Sequence, residues 1–203
     1  MSSKQVSIIV AALLPSFGIG YKNQLPWKLR NEMKYFKNVT TNKSSSSSTN
    51  SKNAVIMGRK TWDSIPSKFR PLPDRYNVIL TKQDPTSFEP IENVKYSNNI
   101  DDTIKNLLND DSINQIFIIG GSEIYNNSIT NNLVDNLLIT EINHLKSNEI
   151  EMDTFLNKDY ILNNFTKTNK IELQKFIGEN IEIPSDKIIE GDFEYEFTLY
   201  KRK

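Results

Sequence analysis

The sequence predicts an α/β protein with a mixed, mainly parallel sheet of about eight strands, the C-terminal one antiparallel, flanked by helices. Three observations predict it. "VSIIVAAL" (6–13), "NAVIMG" (53–58), "RYNVILT" (75–81) and "INQIFIIGG" (113–121) are β-rich, nearly continuous apolar runs, the pattern of strands buried on both faces. Helical candidates separate them. Near the end, "GDFEYEFTLYKR" (191–202) alternates with period two, which marks antiparallel, half-exposed pairing.

The first apolar run is too short to cross a bilayer. One lysine precedes it and no small-residue cleavage site follows, so a buried strand fits better than a signal peptide. Next comes "KLRNEMKYFKNV" (28–39). At roughly 100° per residue, Leu29, Met33, Phe36 and Val39 share an arc of about 120°, the face to be buried. Arg30, Asn31, Lys34, Lys37 and Asn38 lie opposite. Glu32 falls between Phe36 and Val39 on the apolar arc, where an unpaired charge is costly. One reading pairs it with Lys28, four positions earlier, although base before acid is the weaker order in a helix.

"TTNKSSSSSTNSKN" (40–53) is low-complexity and polar, so it reads as a surface loop. "KTWDSIP" (60–66) is a short helix. "IDDTIKNLLNDD" (100–111) is a longer one, with Asn99 placed to cap it. "SEIYNNSITNN" (122–132) reads as a helix, "LVDNLLITEIN" (133–143) as a long strand, and "IELQKFIG" (171–178) as another strand.

At 203 residues the chain is expected to form one domain spanning 1–203, with the loop at 40–53 on its surface. Lys plus Arg number 25 and Asp plus Glu 25, so no charge bias points to nucleic acid or an anionic membrane. The absence of cysteine removes disulfide and thiolate chemistry and suits a reducing compartment, and the protein is expected to be cytoplasmic. The single histidine, His144, excludes the usual zinc patterns and is expected to be a surface residue.

In open α/β sheets ligands sit at the carboxyl ends of the strands. Three such ends carry anion-binding chemistry here. "VIMGRKTW" puts Gly58 at a strand-to-helix turn, with Arg59, Lys60 and Thr61 opening the helix. "VILTK" ends in Thr81 and Lys82. "FIIGGSEIY" runs a strand into Gly120–Gly121 and a helix start, where bare backbone admits a diphosphate. The Rossmann fingerprint is absent, because "GIGYKN" has Gly18 and Gly20 but no third glycine. A dinucleotide would have to bind in another way.

These segments, with "IVAALLPSFGIGYKNQLPWKLRNEMKYFK", "FRPLPDRYNVILTK", "LLITEI" and "MDTFL", resemble the dihydrofolate reductase family over nearly the whole chain. Length and the extended C-terminal hairpin suggest a eukaryotic, fungal member. The resemblance implies NADPH-dependent reduction of 7,8-dihydrofolate to tetrahydrofolate in one-carbon metabolism, inhibition by antifolates, a monomer, and no nucleic-acid or membrane partner.

By the same resemblance, Glu32 is the acid of the pterin pocket, accepting two hydrogen bonds from the pterin. Thr140 is the hydroxyl that fixes it, and Trp27 orients a water. Met33, Phe36, Ile65 and Leu72 form apolar walls, with the backbone of Ile9, Val10 and Ala11 at the pocket floor, and Leu25 and Ile119 also contact the substrate. Arg75 pairs with the substrate's glutamate α-carboxylate, a task suited to its fork. The cofactor would meet Ala11, Ile19, Gly20, Gly58, Arg59, Lys60, Thr61, Leu80, Thr81, Lys82, Ile119, Gly120, Gly121, Ser122, Glu123, Ile124 and Tyr125. Of these, Arg59, Thr81 and Lys82 are candidates around the 2′-phosphate.

The family also implies a cis peptide at Gly120–Gly121 and a mobile loop at "GYKNQLPW". In that loop Asn23 replaces a frequent glycine and Leu25 a frequent methionine. Burial should raise the pKa of Glu32, making it an orienting anion and proton-relay partner while water delivers the proton. A same-fold reductase of another heterocycle, such as a riboflavin-pathway pyrimidine reductase, and a catalytically silent NADPH- or folate-binding module are the competing readings. "LPWKLRNEMKYF" disfavours the first, and chemically competent site positions disfavour the second.

Overall fold

In the computed structural model, residues 4–43, 51–146 and 150–203 are described. The sheet runs in the order β10 (Ile188–Glu190), β11 (Phe193–Arg202), β7 (Asn136–His144), β1 (Val6–Leu13), β6 (Ile113–Gly120), β3 (Lys52–Gly58), β4 (Arg75–Leu80), β5 (Val94–Ser97). From β7 to β5 every neighbouring pair is parallel, while β11 runs antiparallel to both β7 and β10. Two short strands, β2 (Gly18–Gly20) and β8 (Thr154–Phe155), extend from the end of β1, and β9 (Phe165–Lys167) pairs with β11.

Alternation along the central strands builds a core on each face of the sheet. Ile8, Val10 and Ala12 of β1, Ala54 and Ile56 of β3, and Ile116 and Ile118 of β6 enter one core. That face is covered by α3 (Ile100–Leu108), α4 (Ser122–Thr130) and α5 (Lys158–Asn164). Ile9, Leu13, Val55, Met57 and Phe117 enter the other, under α1 (Arg30–Thr41), α2 (Arg59–Ser64) and α6 (Lys170–Ile177). Doubly buried strands therefore carry continuous apolar runs. Asn99 caps α3 as expected, accepting from Asp102 N–H at 3.0 Å.

Three expectations need correction. The segment 171–178 is not a strand: it lies in α6 up to Ile177 and ends at the cap residue Gly178. Asn169 caps it by accepting from Glu172 N–H at 2.9 Å, and Leu173 and Ile177, four apart, are its buried positions. Gly178 ends it at φ +94°. The loop at 40–53 is narrower than its composition suggests: Thr40 and Thr41 close α1, while Lys52 and Asn53 open β3. Its serine-rich centre, 44–50, lies outside the described residues. His144 is half-buried at the end of β7, its ring edge-on to Phe193 at 5.0 Å.

Candidate active site

A crevice opens where two parallel strands part. β1 pairs with β6 only as far as Ile8–Ile118. Beyond it, Ile9, Val10 and Ala11 pair with β7 alone, and β6 continues beside β3 to a Met57–Gly120 pair. The hydroxyl of Tyr125, on α4, sits in the gap and donates to the Ile9 carbonyl at 3.2 Å. This is the place where an open α/β sheet accepts ligands.

The α1 side holds buried charge. Glu32 is only 8% exposed although it lies in the first turn of α1. Desolvation raises its pKa to about 7, a hydrogen bond with Thr140 works against that rise, and the charge of Glu190 adds to it. Thr140 stands opposite Ala11 in the β1–β7 register, so one strand pair sets both the crevice wall and the acid's partner. Leu29 and Val39 fasten α1 to the core. Phe36, Ile65 and Leu72 are half-buried beside it, whereas Met33 and Leu25 are 57% and 54% exposed. Met33 thus departs from the buried arc expected of it, and Tyr35 takes the buried position, stacked on Phe197 at 3.7 Å.

Arg75, at the start of β4, is 4% exposed. Its Nε donates to the Pro73 carbonyl at 2.9 Å and a terminal nitrogen donates to the Thr40 hydroxyl at 2.9 Å. Among the described residues no carboxylate forms an ion pair with it. Burial lowers its pKa, opposed by the neighbouring Asp74 charge. Asn77 fixes the adjoining turn by bonding both the N–H and the carbonyl of Leu72 at 3.0 Å. Thr40 and Asn77 are supports that local pattern did not single out. Trp27 is buried edge-on to Phe193, and its Nε1 donor has no hydrogen-bond partner among the described residues.

The opposite side is an edge of bare backbone. Gly58, Leu80 and Ser97 are in register at the ends of β3, β4 and β5, next to the Met57–Gly120 pair. This brings Gly58–Thr61, Leu80–Lys82 and Gly120–Tyr125 to one rim. The Gly120–Gly121 peptide is cis, as expected. A Cβ on Gly58 would come within 2.9 Å of Ile124 Cδ1, and one on Gly120, at φ +134°, within 3.2 Å of Thr61 Oγ1. Both positions accept only glycine without displacement.

Charges at this rim lie outside. Arg59 pairs with Asp63 at 2.9 Å and lies over the Phe88 ring at 4.9 Å. Lys82, its side chain 95% exposed, faces Glu123 at 3.8 Å. Lys60 is exposed, and Thr81 is buried with its hydroxyl accepting from Gln83 N–H at 3.1 Å. Ser122 opens α4, whose cap is Gly121, and Ile124 packs against the core. Ile119 lies half-buried in the second core, while Ile19 and Gly20 are buried in β2 at the loop's root. The loop itself is a tight turn, Tyr21 and Gln24 exchanging backbone hydrogen bonds at 2.9 Å around Lys22 and Asn23 at φ +49° and +60°. Asn23 adopts a left-handed conformation, which asparagine tolerates better than most side chains. Asp153 anchors the turn by accepting from Lys22 N–H at 2.8 Å.

The donor set can hold a dinucleotide along the glycine rim and an acid-binding, proton-carrying heterocycle beside Glu32. Among the described residues no metal-binding cluster occurs, and no helix is long and apolar enough to cross a membrane.

Comparison with known proteins agrees with this geometry. A family model described as dihydrofolate reductase matches residues 5–183. A dihydrofolate reductase of Candida albicans is 51% identical over 203 residues, all of both chains. That of Saccharomyces cerevisiae is 40% identical over 206 aligned positions, covering 96% of this chain and 95% of the relative. A solved dihydrofolate reductase of Schistosoma mansoni superimposes with a TM-score of 0.75 at 29% identity, with all of both chains covered. With its parted strands, buried acid and glycine rim, this chain belongs to the dihydrofolate reductase family.

Proposed function

We propose that the protein reduces 7,8-dihydrofolate to tetrahydrofolate with NADPH as reductant. The observation that carries this reading is Glu32, an acid buried in the crevice wall with Thr140 as its hydroxyl partner. Such an anion is costly until a ligand donates to it, and a 2-amino pyrimidine edge supplies two parallel N–H groups. Arg75 offers a second buried charge, in no ion pair among the described residues and suited to the substrate's α-carboxylate.

NADPH, when bound, supplies the hydride. The chain's own residues do the rest. Gly58, Gly120 and Gly121 leave room for a diphosphate against backbone. Arg59, Thr81 and Lys82 are the candidates for a further phosphate, which would favour NADPH over NADH. Ile9, Val10 and Ala11 present the floor on which the reacting ring is held. Leu25, Met33, Phe36, Ile65 and Leu72 exclude water around it. Glu32, poised near neutrality, can hold a proton or orient the ring as an anion. The Trp27 Nε1, without a hydrogen-bond partner among the described residues, supports a role in holding a water for proton delivery. Residues 1–203 act as one domain, monomeric and cytoplasmic in this reading.

The test is spectrophotometric. NADPH oxidation should require dihydrofolate and should be blocked by a diaminopyrimidine inhibitor. Dihydrofolate-independent oxidation, or none at all, would overturn the reading.

A further inference from the structure

Helix α1 begins without a cap of its own, since its N-cap residue, Leu29, has no side-chain acceptor. The missing acceptor comes from the other end of the chain. Glu190, the last residue of β10, accepts from Arg30 N–H at 2.5 Å and from Asn31 N–H at 3.2 Å. The Tyr195 hydroxyl of β11 donates to the same carboxylate at 2.9 Å. The next residue along α1 is Glu32. We propose that Glu190 is a positioning residue of the reductase, capping α1 from the C-terminal hairpin and so setting the placement and ionisation of Glu32.

A closed ring of contacts supports this. Glu190 is fixed by its pairing with Phe193 across the hairpin. β11 carries Tyr195 and lies beside β7, with Phe197 opposite Thr140. Thr140 bonds Glu32, and Glu32 follows directly on the two N–H groups that Glu190 holds. A carboxylate at a helix N-terminus is favoured by charge-assisted hydrogen bonding and by the helix dipole. Desolvation opposes the Glu190 anion, but the two N–H donors, the Tyr195 hydroxyl and the Arg30 charge outweigh it and hold its pKa below the usual carboxylate value. Glu190 therefore remains an anion while Glu32 titrates, and its charge resists a second one nearby. The other titratable groups facing Glu32 are Tyr35 of its own helix, Tyr125 of α4 and Tyr195. Burial leads the causes that raise each phenol, so all three stay neutral. Glu190 lies beyond the 5–183 span of the family match.

This proposal rests on the reading of Glu32 as the site's proton-carrying acid, and the test separates the two. Glu190→Gln keeps an acceptor oxygen and removes the charge. Carbon NMR titration of the Glu32 carboxyl, assigned by its loss in Glu32→Gln, should give a midpoint below the wild-type value in Glu190→Gln. The pH–kcat profile should move in the same direction. Glu190→Ala, lacking acceptor and charge, should also raise the KM for dihydrofolate severalfold with little change for NADPH, and Glu190→Asp should recover part of the shift. An unmoved Glu32 titration in Glu190→Gln overturns the proposal, whatever the thermal stability does. A moved titration with an unmoved pH–kcat profile overturns instead the reading of Glu32 on which it rests.

Discussion

On the α1 side of the crevice the charges lie inside the protein, and on the glycine side they lie outside. Glu32 and Arg75 are almost fully buried, each with an internal hydrogen-bond partner, and among the described residues neither forms an ion pair. Arg59 and Lys82 reach solvent and pair with Asp63 and Glu123. Along that rim the part that admits a ligand is backbone, freed by glycine. A buried, under-compensated charge concentrates binding energy in one residue. A rim of N–H groups and screened cations spreads it over many. Substitutions should therefore act sharply on one side and gradually on the other.

The largest effect is expected from Glu32→Gln. Turnover should fall by about a hundredfold or more, the scale of losing a positioned acid–base group, with NADPH affinity preserved. Near-normal turnover would erase the contrast between the two sides. Arg75→Leu should come next, raising the KM for dihydrofolate about thirtyfold or more while leaving that for NADPH near its original value. Equal effects on both constants would count against the carboxylate role.

On the other side, Gly120→Ala must accommodate φ +134° and Thr61 Oγ1 at 3.2 Å. It should weaken NADPH binding or thermal stability by about 1–3 kcal/mol, measurable by fluorescence titration and melting. Lys82→Ala should be the mildest, changing the NADPH dissociation constant by no more than about fivefold, because an exposed ion pair contributes little. A large loss there would mean that the rim, too, concentrates its energy.

The two sides also differed in how far they could be read from the chain. Strands β1, β3, β4 and β6 are legible because burial on both faces leaves an unbroken apolar run, and the rim follows from glycines at their ends. Glu32 stood out as a charge on an apolar arc, and such breaches of pattern gather at functional sites. Its supports did not stand out. The Glu190 carboxylate and the Arg30 N–H are 160 positions apart, a contact no local periodicity encodes. Thr40 and Asn77 act through hydrogen bonds inside the fold that no local pattern marks. For residues 171–178, β-rich content outweighed the caps at Asn169 and Gly178, which were the signals of a helix. Met33 shows the reverse error, since an apolar residue at a crevice wall can stay exposed to whatever the crevice binds.

Glu32 is an under-compensated buried acid. Its folded pKa of about 7 stands above the ordinary 4.5. Hence the folded protein binds more protons than the unfolded chain between those values. The associated stability is complete below pH 4.5 and is lost as pH rises through 7. Urea unfolding of wild type and Glu32→Gln at pH 5 and pH 8 measures it. Relative to the glutamine variant, wild type should lose about 2.5 kcal/mol between the two conditions. Parallel pH dependences in the two proteins would mean that the buried Glu32 is fully compensated.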